Sequence, residues 1–219
     1  MKIENISKKY NSNYIFENIS FNFISHKVYA IFGNNGVGKT TLLNIMNGNL
    51  SYNEGHIASD DNVIFIETND LPFDFMTADD FITTTFDFKK VKFDREYKKR
   101  LYGLLNFSPE SKKIREFSKG MKSKLVLILA LLSRPTVLLL DEPFVDIDIP
   151  SFGAITKLLL SMKDEITIIF SAHVADIAFE LSDEILILDK NGIISFQNNF
   201  NNSLELKEYI ESRKYLEKE

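Results

Sequence analysis

The chain has 219 residues, of which 26% are charged and 44% hydrophobic; this is an ordinary globular composition, with length enough to bury a sizeable core. A net charge of −5 disfavours a nucleic-acid partner, and the lack of cysteine excludes a disulfide framework and a thiolate metal site. The opening stretch M-K-I-E-N-I-S-K-K-Y has no apolar segment of signal-peptide length, and the longest apolar runs, 125–132 and 137–140, are too short to span a bilayer. A cytosolic location is expected, with any membrane role coming through a partner.

Residues 2–7 alternate apolar and polar and predict a strand, followed by Tyr10 in a K-K-Y-N-S-N turn. Residues 15–23 alternate again, and 27–32 form a short apolar run, so early antiparallel strands feed a buried core strand. Residues 48–55 read as a turn region, with short strands at 56–58 and 63–66. Beyond residue 71 the spacing becomes helical. Thr77 is the expected N-cap of one helix, with Asp80 three residues on and Phe81, Thr84, Thr85 and Phe88 on one face. A second helix covers 94–107, with Tyr97, Leu101, Leu104 and Leu105 inward and Pro109 ending it. A third covers 119–132.

Residues 136–140 read as a buried strand, 151–163 as a helix, 166–170 as a strand and 174–181 as a helix. Residues 184–189 and 192–196 read as a hairpin turning at Lys190-Asn191-Gly192. The tail, 203–219, reads as a charged, solvated helix. Strands alternating with helices predict an α/β fold with a mixed, mainly parallel sheet and helices on both faces. One domain spans 1–219. Its core and an antiparallel β subdomain occupy 1–70 and 134–200, a helical subdomain 71–133, and a C-terminal helix 201–219.

The stretch that carries chemistry is Gly33-Asn34-Asn35-Gly36-Val37-Gly38-Lys39-Thr40-Thr41. It fits the phosphate-loop pattern of Gly, four residues, Gly, Lys and Ser or Thr, and it lies between a buried strand and a helix as that motif requires. Its glycines let the backbone close round an anion, and its N–H groups and the helix N-terminus supply partial positive charge. Lys39 suits the β- and γ-phosphates of a nucleotide, and the Thr40 hydroxyl suits Mg²⁺. Far downstream, the run Val137-Leu138-Leu139-Leu140 delivers two carboxylates, Asp141 and Glu142, at a strand end. Asp141 is placed to hold Mg²⁺ and Glu142 to orient or deprotonate an attacking water. Between the two motifs, Ser118 is a natural N-cap in F-S-K-G-M-K.

The order of these features resembles the nucleotide-binding subunit of ABC transporters over residues 2–196: phosphate loop, S-K-G-M before an apolar helix, apolar strand with D-E-P, and His173 in F-S-A-H. The S-K-G-M form is similar to that of exporter ATPases for drugs and antimicrobial peptides. The resemblance implies a P-loop NTPase core that binds ATP and Mg²⁺, a second ATPase subunit, and a separate integral membrane subunit at the cytoplasmic face of the membrane. It implies that Tyr10 stacks on adenine and that Ser118 and Gly120 bind the γ-phosphate held by the other subunit. It also implies that Asp148 couples the two sites, that His173 contacts the γ-phosphate and water, and that residues 71–133, with Phe73, Phe75 and Phe81 near their start, dock the membrane subunit.

Two positions depart from the family pattern. Thr68 stands where a metal-binding Gln is usual, with Glu67 and Asn69 beside it as substitutes, and Lys119 replaces a Gly of the signature. Neither removes Lys39, Asp141, Glu142 or His173, so a competent ATPase is expected. The alternatives are a soluble ABC-type ATPase acting on ribosomes or chromosomes, disfavoured by the acidic charge and the single cassette, and a regulatory module that holds ATP without turnover.

Overall fold

A computed structural model describes residues 1–67, 71–190 and 192–216, with side chains through Ser212. The described strands are β1 (Lys2–Tyr10), β2 (Asn13–Asn22), β3 (Val28–Phe32), β4 (Glu54–Ala58), β5 (Val63–Glu67), β6 (Val137–Asp141), β7 (Thr167–Ala172), β8 (Glu184–Asp189) and β9 (Gly192–Gln197). The helices are α1 (Lys39–Met46), α2 (Ala78–Phe88), α3 (Arg95–Leu104), α4 (Lys119–Leu132), α5 (Ile149–Met162), α6 (Ala175–Leu181) and α7 (Ser203–Leu216).

Among the described residues, one sheet has the order β5-β6-β7-β3-β8-β9. Its strands run parallel except β9, which returns antiparallel to β8. Period-2 side-chain alternation sorts every central strand between two apolar layers. Val28, Ala30, Phe32, Leu138, Leu140, Ile168 and Phe170 enter the layer filled by the helices α2 to α7. Tyr29, Ile31, Val137, Leu139 and Ile169 enter the other, with α1 and the antiparallel sheet β2-β1-β4. Continuous apolar runs, rather than alternating ones, are what a strand buried on both faces requires.

Helix boundaries follow local chemistry. The Thr77 hydroxyl accepts the Asp80 N–H at 3.2 Å, and the Asp94 carboxylate accepts those of Glu96 and Tyr97. Ser118 accepts from Met121 at 3.2 Å and Asp148 from Ser151 at 2.9 Å. These are N-caps that satisfy otherwise orphaned donors. The second helix stops earlier than Pro109. Asn106 takes a left-handed φ of 47°, Phe107 N–H bonds the Tyr102 carbonyl, and the turn closes before the proline is reached.

Several predicted faces shift. In α2 the buried set is Ala78, Phe81, Ile82 and Phe86, while Phe88, on the last turn beyond the core, is 88% exposed. In α3, Leu101 and Leu105 are buried but Leu104 is exposed. Phe81 belongs to the core, whereas Phe73 and Phe75 stand in solvent. The charged tail does not lie free in solvent. Leu206 and Ile210, one turn apart, are fully buried, and Tyr209 of the same helix packs its ring against Phe196 and Phe200, so α7 docks on the body of the protein beside α6. Two such side chains contribute about 1.5–3 kcal/mol each by burial, while Glu205, Lys207, Glu208 and Glu211 stay exposed.

Candidate functional site

The parallel register brings four strand ends to one edge. Phe32 pairs with Ala172, Leu140 with Phe170, and Glu67 with Asp141, so the chain leaves β3, β5, β6 and β7 at nearly one level. In parallel α/β sheets this edge is where ligands bind.

Gly33 to Gly38 follows β3 here. Gly38 has φ of 108° and N-caps α1, and a Cβ on it would meet Ile15 Cγ2 at 2.6 Å; glycine is required by backbone angle and by space alike. The Lys39 side chain is buried, and its ammonium donates to the carbonyls of Gly33 at 3.0 Å and Asn34 at 3.3 Å. Thr40 Oγ1 donates to Asp141 Oδ2 at 2.7 Å, a bond that joins residues 101 apart in sequence. Asp141 Oδ1 accepts from Ser171 Oγ at 2.7 Å, and Ser171 Oγ accepts the Glu142 N–H at 2.7 Å. Glu142 sits at φ of 45°, and its Oε1 lies 3.5 Å from His173 Nδ1.

Lys39, Thr40, Asp141 and Glu142 face a cleft of about 460 Å³, lined also by Ile15, Asn35, Gly36, Gly38, Thr41 and Glu67. The phosphate loop and the carboxylate pair are thus together, with His173 against Glu142. Tyr10, at the end of β1 rather than in a turn, is 51% exposed and is not among the lining side chains; Lys8 Nζ sits 4.8 Å from its ring centre. Ile15, on the same hairpin, lines the cleft instead. Its place depends on how β1 pairs with β2 through a shifted register, which no local spacing reveals. Glu67 reaches the cleft through its pairing with Asp141. Ser171 carried one readable signal, its position two residues before His173, near the end of a strand. Thr68 and Asn69 lie outside the described residues.

Ser118 and Gly120 are not in this cleft. Gly120 lies against Ser151 and the Asp148 carboxylate, so the starts of α4 and α5 abut within one chain. The Ser151 N–H and hydroxyl hold the Asp148 carboxyl below its ordinary range. Lys119 pairs with Asp146 at 2.6 Å, and the hydrogen bond from its ammonium lowers the Asp146 pKa. Both side chains are more than three-fifths exposed, so the pair anchors little. Val145 and Ile149 flank this region and are exposed, Ile149 to 86%.

The donor set suits Mg²⁺. Among the described residues no three His, Cys, Asp or Glu gather to cage a metal. The Thr40 hydroxyl and Asp141 carboxylate are hard oxygen donors beside an anion-binding loop, and Mg²⁺ is typically held by one or two carboxylates plus substrate phosphates. A glycine-rich loop between a buried strand and a helix, a buried lysine and an adjacent carboxylate pair at the edge of a parallel sheet define a phosphate-loop nucleotide-binding ATPase.

The family model for ABC transporters matches residues 16–145. YxlF of Bacillus subtilis, an uncharacterized ABC transporter ATP-binding protein, is 30% identical over 208 residues, covering 90% of this chain and 70% of the relative. The lantibiotic transport ATP-binding protein SrtF of Streptococcus pyogenes is 28% identical over 100% of this chain and 99% of its own length. The spermidine/putrescine import ATP-binding protein PotA of Mycoplasma mycoides is 29% identical over 88% of this chain, which spans only 60% of that relative. The fold is similar to the ADP conformation of MJ1267, an ATP-binding cassette of an ABC transporter (TM-score 0.80, 21% identity, 99% of this chain and 96% of that one). It is also similar to the cassette MJ0796 in a dimeric post-hydrolysis state with ADP and Pi (TM-score 0.76, 21% identity, 91% and 99%). The chain belongs to the ABC transporter family, as an ATP-binding subunit of the ATPase type. Among the described residues no helix is long and apolar enough to cross a membrane.

Proposed function

We propose that this chain hydrolyses ATP to power an ABC exporter, paired with a second ATPase subunit and docked on a separate membrane subunit at the cytoplasmic face. The observation that carries the hydrolytic reading is the 2.7 Å bond from Thr40 to Asp141, which locks the phosphate loop to the carboxylate pair. In this reading the loop N–H groups and Lys39 bind the β- and γ-phosphates. Thr40 and Asp141 would hold Mg²⁺, which supplies charge neutralisation across those phosphates. Glu142 accepts a proton from, or orients, the attacking water, and His173 steadies Glu142 and the γ-phosphate end.

Ser118 and Gly120 lie outside the cleft, so they serve the nucleotide of a second copy. Exposed Val145 and Ile149 beside them fit a face that such a copy covers. We divide the domain accordingly: residues 1–70 and 134–200 are the nucleotide-binding core and β subdomain, 71–133 are the docking subdomain, and the tail 201–219 carries α7, braced on the core. Tyr10 is assigned to the adenine end through its hairpin, with Ile15 as the nearer wall. Export is supported by the S-K-G-M form of the signature. The end-to-end match to the relative named for lantibiotic transport supports a peptide or hydrophobic-toxin cargo. The relatives named for polyamine import support an importer as the second reading.

Glu142→Gln tests the reading. ATP binding is expected within twofold of the parent, turnover falls by about 10²–10⁴, and ATP converts the variant to a stable dimer by size-exclusion chromatography. Turnover at the parent rate removes Glu142 from the mechanism. Transport by the reconstituted pair of subunits into or out of vesicles separates export from import.

A further inference from the structure

The parallel ladder between β6 and β7 ends at Leu140 paired with Phe170. Two residues later, past Asp141, the chain turns out of the sheet at Glu142, whose φ of 45° is uncommon for a side chain of its size. At that point the backbone partner for the Glu142 N–H is a side chain, the hydroxyl of Ser171. The same oxygen carries one hydrogen, and that hydrogen goes to Asp141 Oδ1. Ser171 is 1% exposed, so water does not replace either bond if the hydroxyl is removed.

We propose that Ser171 is a positioning residue of the ATPase reaction: one buried hydroxyl sets the rotation of the Asp141 carboxylate and the backbone angle that aims Glu142. This rests on the assignment of Asp141 and Glu142 to hydrolysis made above. Asp141 has two carboxylate oxygens, and both are fixed by hydroxyl donors, Thr40 on Oδ2 and Ser171 on Oδ1. The remaining lone pairs therefore point in a set direction before any ligand arrives, as preorganised metal sites require. Ser171 lies in β7, and His173 follows one residue past the end of that strand. The first fixes the backbone of Glu142 and the second faces its carboxylate at 3.5 Å, so one strand end governs both halves of the glutamate's position.

The discriminating experiment uses the full chain with Ser171→Ala and Ser171→Thr, since threonine keeps the hydroxyl. ATP affinity is measured in EDTA and across a Mg²⁺ titration, beside thermal unfolding and steady-state turnover. In EDTA, Ser171→Ala is expected to bind ATP within twofold of the parent, because the phosphate loop is untouched. The Mg²⁺ concentration for half-maximal effect rises by about 10–100-fold, the usual consequence of losing a group that orients a metal ligand. At saturating Mg²⁺, kcat falls at least tenfold while KM for ATP stays within twofold, and Ser171→Thr returns both quantities to within about threefold of the parent.

Parent-like Mg²⁺ dependence in Ser171→Ala overturns the proposal. An equal loss of ATP affinity with and without Mg²⁺ overturns it too, as the sign of a merely structural role. So does a folded Ser171→Thr that behaves like the alanine variant. A parent chain whose ATP binding ignores Mg²⁺ fails at the earlier step, the metal–nucleotide site itself, and is recognised without any variant.

Discussion

Lys39 shows how a single residue can be set for its task before its ligand arrives. Its stem is buried and its ammonium already bonds two carbonyls of the loop it serves, so it needs little reorganisation to face phosphate oxygens. Hydrogen bonds from a charged donor are worth about 1.5–3 kcal/mol each. Lys39→Ala is therefore expected to weaken ATP binding by about 10–100-fold, at 1.4 kcal/mol per tenfold. Isothermal titration checks this, and affinity within threefold of the parent would remove Lys39 from the phosphate contact. The lysine, the loop glycines and the D-E pair were all legible in the sequence because each is specified by neighbours within a few residues. Ile15 and Glu67 were not, because their place in the cleft is decided by strand pairing across the molecule. Ser171 lies between these cases: its strand and its spacing from His173 are local, but the oxygen it meets belongs to a different strand.

Elements matter most where two helices begin against each other. α4 starts at Ser118 and α5 at Asp148, and Gly120 fits between them with no room for a Cβ. Alanine in place of glycine normally favours a helix by about 1 kcal/mol. Here the added carbon would meet the Ser151 Cβ at 2.7 Å as well as the Asp148 carboxylate, and Ser151 is 4% exposed with nowhere to move. Overpacking costs about 1–3 kcal/mol, so Gly120→Ala is expected to destabilise the chain despite its better helix propensity. Urea unfolding decides the sign, and a stabilised variant would mean the two helix starts separate freely. The helix starts themselves were legible, since Ser118, Thr77 and Asp94 cap as their residue types dictate. Which faces those helices bury was less so. Phe88 keeps the helical period but lies past the end of the core, and α7 reads as solvated until α6 supplies the surface that receives Leu206 and Ile210.

For the whole molecule, the question is how a cleft at one sheet edge reaches a partner. The chain leaves that edge after Glu67 and re-enters the described structure ahead of α2, where Phe73 and Phe75 stand 56% and 57% exposed with ring centres 6.1 Å apart. They are firmly presented. Phe73 holds a left-handed φ of 61°, its carbonyl accepts the Met76 N–H, and the N–H groups of Ile114 and Arg115, at the start of a 3-10 turn, donate to the carbonyls of Met76 and Asp74. An aromatic residue kept in that backbone region, with its ring in solvent, suits an anchor that a partner desolvates. Replacing both rings, as Phe73→Ser with Phe75→Ser, removes no core contact and leaves the phosphate loop untouched. ATP affinity is expected within twofold of the parent. Capture of the membrane subunit proposed above, from detergent-solubilised membranes, is expected to fall at least tenfold, as loss of an aromatic hot spot of 2 kcal/mol or more implies, at about 1.4 kcal/mol per tenfold. Undiminished capture would move the docking surface off this pair, and to a part of residues 71–133 that carries no exposed aromatic pair.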